Sequence, residues 1–209
     1  MANRLVIATH NTGKANEIKS LLGNISWTIV FLNEFGNVGE AIEESETYSG
    51  NSTAKAKYYS LVTGEWVLAD DSGLEVAALG GRPGVLSARY AGPNATDAER
   101  RFKLLRELRA VNGVDRRARF VCSAAIGDSD GRIVKITEGV CEGAICESAR
   151  GESGFGYDPI FVPTGYDLTF GELSEEIKNR VSHRAKAMFA LRSFFERKED
   201  LLDRFDLGP

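Results

Sequence analysis

Apolar residues along the chain fall in short runs divided by polar and glycine-rich stretches. Leu5-Val6-Ile7-Ala8 is a continuous apolar run, the pattern of a strand buried on both faces. A polar loop, Thr9 to Gly13, follows. Ala15, Ile18, Leu21 and Leu22 then recur at helical spacing up to Gly23, so the opening reads strand–loop–helix. Trp27 to Leu32 predicts a second strand, and residues 33–50 an acidic loop. Ala54, Tyr58, Leu61 and Val62 predict a helix with an apolar stripe, closed by Gly64. Trp66 to Ala69 predicts a short strand ending at Asp70-Asp71, and the glycine- and proline-rich residues 72–95 predict loops and short strands.

Thr96 with Glu99 three residues later is a capping-box pattern. It opens a helix with Phe102, Leu105 and Leu108 inward, ended by Asn112-Gly113. Ala118, Phe120, Cys122, Ala124 and Ile126 alternate as in a strand. Asp128 to Gly131 is a turn, and Ile133 to Thr137 returns as the hairpin partner. Residues 150–158 form a second glycine-rich loop before Pro159 to Val162. Ser182 caps a last helix with Ala185, Met188, Leu191 and Phe195 inward. Strand–helix alternation with a hairpin in the middle predicts an α/β fold: a central mixed β-sheet flanked by helices, two lobes, and a ligand cleft between them.

The totals narrow the function. The chain has 209 residues, 43% hydrophobic and 27% charged, which suits one domain of two lobes with a substantial core. The net charge of −4 argues against nucleic acid as the partner. Three cysteines, Cys122, Cys141 and Cys146, contain no Cys-x-x-Cys pair, so neither a disulfide framework nor a zinc site is indicated. Reduced thiols and no run of membrane-spanning length predict a cytoplasmic protein with no membrane partner.

Several segments have the residue types that bind phosphate and metal. Thr9-His10-Asn11-Thr12-Gly13-Lys14 lies between a strand and a helix start, where backbone N–H groups and the helix dipole favour an anion. It is not a Walker A loop, because alanine stands at positions 8 and 15; the alternative reading is an ordinary strand–helix turn. Asp70-Asp71 at the end of a buried strand suits Mg²⁺ or base chemistry, since two buried carboxylates need compensation; a solvated turn is the alternative. Glu40, Glu43, Glu44 and Glu46 mostly read as a solvated acidic loop, with one or two available to complete a metal shell. Gly151 to Pro159 lets backbone approach a ligand closely, with Phe155 and Tyr157 offering a face to a base or packing into the core. Lys178, Ser182, His183, Arg184 and Lys186 gather positive charge at a helix start. Together these features spell a nucleoside triphosphate with Mg²⁺. No Ser/His/Asp or Cys/His arrangement supports covalent catalysis.

The segments IATHNTGKANEI (7–18), LADDSGLEV (68–76), GGRPGVLSARYAG (80–92), RFVCSAAI (119–126), GFGYDPIFVP (154–163) and ELSEEIKNRVSHRAKA (172–187) resemble, in order, those of the inosine triphosphate pyrophosphatase, or HAM1-like, family. The resemblance implies an elongated two-lobed α/β fold, a nucleotide cleft, and a homodimer. It implies hydrolysis of ITP, dITP and XTP to the monophosphate and pyrophosphate, which removes them from the nucleotide pool. It also implies roles. Asp71 is the catalytic carboxylate and a Mg²⁺ ligand, with Glu43 the expected second ligand and Glu44 the alternative. Thr9, His10, Asn11, Thr12, Gly13, Lys14 and Lys55 face the triphosphate, and Ser72 contacts substrate. Phe155, Gly156, Tyr157 and Asp158 line the base and sugar site, and Lys178, His183 and Arg184 contact base or phosphate. His183-Arg184 or loop N–H groups are the expected donors to the purine 6-oxygen. One departure stands out. The family commonly has Thr-Phe-x-Glu-Asn-Ala where this chain has Thr47-Tyr48-Ser49-Gly50-Asn51-Ser52, so a glutamate is replaced by glycine. The competing readings are a pyrophosphatase for modified pyrimidine or canonical nucleotides, and a nucleotide-sensing module without turnover.

Overall fold

The computed structural model describes residues 4–111 and 115–205, with backbone alone over 197–205. Six strands form one mixed sheet in the order β2-β1-β3-β4-β5-β6. They are β1 (Arg4–Ile7), β2 (Thr28–Phe31), β3 (Trp66–Val76), β4 (Arg117–Gly127), β5 (Ile133–Ile145) and β6 (Phe161–Pro163). β1 pairs parallel with β2 from Arg4↔Thr28 to Ile7↔Phe31, and parallel with β3 from Leu5↔Trp66 to Ile7↔Leu68. β6 is antiparallel to β5. Flanked on both edges, Leu5, Val6 and Ile7 are fully buried, as the unbroken apolar run predicts.

The helices are α1 (Thr12–Leu22), α2 (Tyr48–Thr63), α3 (Asp97–Arg109), α4 (Glu175–Val181) and α5 (His183–Phe205). The starts of α1 to α4 are set by short polar side chains that accept from orphan N–H groups. Asn11 accepts from the Lys14 N–H, Thr47 from Gly50, Thr96 from Glu99 and Ser174 from Ile177. Thr96 and Glu99 close the expected reciprocal capping box.

The chain divides into two compact units. The first takes residues up to Asp71, Ser123–Glu138 and the chain from Ala185 onward; the second takes Ser72–Cys122 and Gly139–Arg184. One core cluster of the first unit joins Val6, Ala8, Val30, Val67 and Ala125 to Ala56 and Tyr59 of α2. The core of the second gathers Leu74, Leu104, Leu108, Phe120, Phe161 and Phe170.

Four expectations are corrected. First, β3 does not end at Ala69 but runs through Asp70-Asp71 to Val76. Its pairing with β1 stops at Leu68, so the acids continue the strand past the end of its β1 neighbour. Second, α2 does not bury Ala54, Leu61 and Val62. Leu61 is 57% exposed, and the inward face is Asn51, Ser52, Ala56, Tyr59 and Ser60. A strand crosses too close for larger groups: a Cβ on Gly127 would lie 2.6 Å from Ser60 Oγ and 3.0 Å from the Ala56 carbonyl. Third, Phe102 is 64% exposed and Leu104 takes its place in the core beside Leu105 and Leu108. Fourth, β5 continues well past Thr137. α3 ends at Arg109; the expected stop at Asn112-Gly113 lies outside the described residues. Ala185, Met188, Leu191 and Phe195 are buried on α5 as expected.

Candidate active site

In the first unit, carboxylates and ammonium groups meet around Asp71. Asp71 is 7% exposed and Asp70 2%. Lys55, in α2, places its ammonium 3.1 Å from Glu43 Oε2 and 3.7 Å from Asp71 Oδ1. Lys14, in the first turn of α1, lies 3.3 Å from Asp70 Oδ2. Asn51 Nδ2 donates to Asp71 Oδ2 at 3.0 Å. Burial pushes the Asp71 carboxyl above the usual carboxylate range, and the pull of Lys55, Lys14 and Asn51 in the other direction does not cancel it. Burial works against the Lys55 ammonium too, but Asp70, Asp71 and Glu43 outweigh it and raise its pKa. The result is a desolvated carboxylate beside a firmly charged lysine.

Asn11 caps α1 by accepting from the Lys14 N–H, its own N–H donates to Thr9 Oγ1, and the first turn of the helix has no acidic side chain. Thr9, His10 and Thr12 line a surface pocket with Asn16, Phe31 and Asn33. His10 is exposed, with Nε2 3.2 Å from the Tyr59 hydroxyl. Gly13 and Lys14 are half-buried.

The second unit holds the glycine-rich loop. Asp158 is buried, and its Oδ2 accepts from the Phe155 N–H at 2.9 Å and from Lys178 Nζ at 2.7 Å. Gly154, at φ +76°, stands so close that a Cβ there would lie 2.1 Å from that same oxygen. Only glycine fits both the conformation and the space. Half-buried Phe155 has two cations over its ring, Lys178 Nζ at 5.0 Å and the Arg184 guanidinium at 5.6 Å. Arg184 also donates to Ser72 Oγ at 3.0 Å. His183 stacks on Phe120, with ring centres 4.6 Å apart and planes 11° off parallel.

The expected site residues therefore divide by role. Phe155 is half-buried, whereas Tyr157 is core: it is buried, donates to the Ser87 carbonyl, and burial pushes its phenol pKa up. Loop N–H groups were one expected donor to the base, but those of Phe155 and Gly156 are spent on Asp158 and Asp97. Lys178 lies on α4 rather than on the last helix, and its carboxylate partner belongs to the chain itself. The expectations omitted Asn51, which reads as an ordinary helix-start residue until its contact with Asp71 is seen. They also omitted Asp97 and Arg101, which hold the backbone of Gly156 on both sides, Asp97 accepting from its N–H at 2.7 Å and Arg101 donating to its carbonyl at 2.7 Å.

The Ham1 family profile matches residues 5–194. The dITP/XTP pyrophosphatase of Thermus thermophilus is 47% identical over 188 residues, 90% of this chain and 89% of that protein. The dITP/XTP pyrophosphatase of Bacillus subtilis is 43% identical over 191 residues, 91% of this chain and 96% of that one. The chain belongs to the Ham1 family. A solved Ham1 protein from Coxiella burnetii superposes with a TM-score of 0.85 at 40% identity, covering 93% of this chain and 99% of that one. This Ham1-family chain thus keeps the fold over nearly its whole length.

The donor set suits Mg²⁺ held in the way that ion is usually shared with phosphates, by one or two carboxylates rather than by a complete protein cage. Glu43 and Asp71 offer hard oxygens, and both already lie against the cationic Lys55. No preformed group of three or more His, Cys, Asp or Glu side chains occurs among the described residues.

Proposed function

We propose that this protein hydrolyses dITP, XTP and ITP to the monophosphate and pyrophosphate, with Mg²⁺ as cofactor. The observation that carries this reading is Asp71: a buried carboxylate, hydrogen-bonded by Asn51, beside the charged Lys55 and within a Ham1-family sequence. The Asp71 carboxylate accepts a proton from water as the water oxygen attacks phosphorus. The anhydride bond between the α- and β-phosphates breaks, and pyrophosphate leaves. Lys14, Lys55 and the N–H groups opening α1 take the negative charge of the phosphates. Bound Mg²⁺, with Asp71 and Glu43 as its protein ligands, would neutralise charge on the phosphate oxygens.

The base falls to Phe155, with Lys178 and Arg184 as donors. Hypoxanthine and xanthine carry an acceptor oxygen at the purine 6-position, whereas adenine carries an amino donor there. A site offering donors leaves them unpaired against adenine, which discriminates strongly. His183 backs this group through its stack on Phe120. A homodimer and a cytoplasmic location complete the reading, the first checked by light scattering and the second by fractionation. Among the described residues no helix is long and apolar enough to cross a membrane.

The test is a nucleotide panel with Mg²⁺: ITP, dITP, XTP, ATP, GTP and dUTP, with products resolved by anion exchange. Monophosphate and pyrophosphate from the inosine and xanthine nucleotides, with little from ATP, is the expected result. Diphosphate and phosphate as products, or equal turnover of ATP, would overturn it.

A further inference from the structure

The start of α2 has a threonine cap but no acid three residues further on. Thr-x-x-Glu at a helix start makes a capping box, in which the acid at the third helical position accepts from the N-cap N–H. Here Thr47 is the N-cap and accepts from the Gly50 N–H at 3.1 Å, but position 50 has nothing to return. The Thr47 N–H goes to Ser45 Oγ instead, at 3.1 Å, and that oxygen is also 3.1 Å from Thr47 Oγ1. Ser45 occupies the space that a side chain at 50 would need. A Cβ on Gly50 would lie 2.1 Å from Ser45 Oγ, 2.7 Å from Ser45 Cβ and 2.9 Å from Thr47 Oγ1. Rotating the Ser45 hydroxyl relieves the first contact; the second requires the backbone to move.

The backbone of Ser45 is held as firmly. Its N–H donates to Asn51 Oδ1 at 2.9 Å, and its carbonyl accepts from Asn51 Nδ2 at 3.1 Å. The same Nδ2 donates to Asp71 Oδ2. Because the Ser45 N–H must face the amide oxygen, the amino end of Asn51 is the one directed at the carboxylate. Asn51 is 1% exposed, so bulk water does not compete for these bonds. Glu43 lies two residues before Ser45, and the Lys55 ammonium touches both Glu43 and Asp71. A shift of this loop therefore changes the spacing of both carboxylates.

We propose that Ser45, Gly50 and Asn51 are positioning residues for the reaction: Asn51 registers the Glu43 loop against Asp71, and Ser45 takes over the capping role of the acid missing at position 50. The proposal rests on the roles given above to Asp71 and Glu43. It makes Gly50 and Ser45 a matched pair rather than a defect.

A cycle of Gly50→Ala, Ser45→Gly and the double variant in the full chain tests it. Helix propensity favours alanine over glycine, so an unconstrained position 50 would gain stability on substitution. The matched pair predicts the reverse: Gly50→Ala lowers the unfolding temperature in metal-free buffer and lowers kcat on the order of tenfold, with KM for dITP little changed. Adding Ser45→Gly removes the clash along with the Ser45 cap, so it restores part of both. A Gly50→Ala protein that is more stable and fully active, or a loss that Ser45→Gly does not relieve, overturns the proposal. A wild type that turns over dITP while the cycle shows no coupling sinks this inference alone. A wild type that turns over nothing sinks the functional reading, while the unfolding cycle still reports on the Ser45–Gly50 fit.

Discussion

Lys178 and Asp158 form an ion pair at 2.7 Å in which both side chains are less than a tenth exposed. The lysine also lies over Phe155, and the aspartate holds the Phe155 N–H, so the pair fixes that residue at both its ring and its backbone. Removing one partner of a buried pair leaves a charge without compensation, which costs about 3 kcal/mol. Asp158→Asn is expected to lose about that much in urea unfolding, and adding Lys178→Met should recover part of it. An Asp158→Asn protein of wild-type stability would mean that the pair is solvated.

Asp71→Asn should separate activity from stability. The buried carboxylate has a raised pKa, so its ionised form is less favourable in the folded chain than in the unfolded one. A raised carboxyl contributes stability below its ordinary pKa and loses that contribution as pH rises through the folded value. At neutral pH in metal-free buffer the Asp71→Asn variant is therefore expected to unfold at a higher temperature than wild type. The gap should close as pH falls through the acid range. Turnover should drop roughly a thousandfold while nucleotide binding persists by calorimetry. Unchanged turnover would remove Asp71 from its role.

Phe155→Ala should act on the base. The ring is the half-exposed aromatic of its loop, with Lys178 and Arg184 above it. Losing a stacking face is worth on the order of 1–2 kcal/mol, so KM for XTP should rise about tenfold with kcat much less affected. A fall in kcat at constant KM would place the ring elsewhere in the cycle.

Gly127→Ala tests the close approach of β4 to α2. The added methyl meets Ser60 Oγ and the Ala56 carbonyl, and overpacking of this kind costs about 1–3 kcal/mol. Chemical denaturation reads the loss directly. Combining Gly127→Ala with Ser60→Gly should relieve the side-chain part of the clash and leave the part due to the carbonyl.

Much of the fold was legible because apolar burial leaves a periodic trace. The run Leu5 to Ala8, the stripe of α1 and the Ala185–Phe195 face of α5 all bury what their spacing predicts. The trace fails where burial is polar. α2 turns Asn51, Ser52 and Ser60 inward, so a search for apolar residues selects its outer face. Asp70-Asp71 looks like a turn because free carboxylates avoid strands; lysines at 14 and 55 make the burial tolerable, and neither is a sequence neighbour of the pair. Asn51 was invisible for the same reason: its value lies in a contact twenty residues away.

The hydrogen bond from Arg184 to Ser72 has a consequence for how the chain is laid out. Ser72 is where the chain enters the second unit and Arg184 is where it finally leaves. The first entry and the last exit are thus tied together by the side chain of a buried arginine. Asp71 and Ala185 are the residues next to these two, so the proposed catalytic carboxylate stands one peptide bond from a residue that a buried arginine holds.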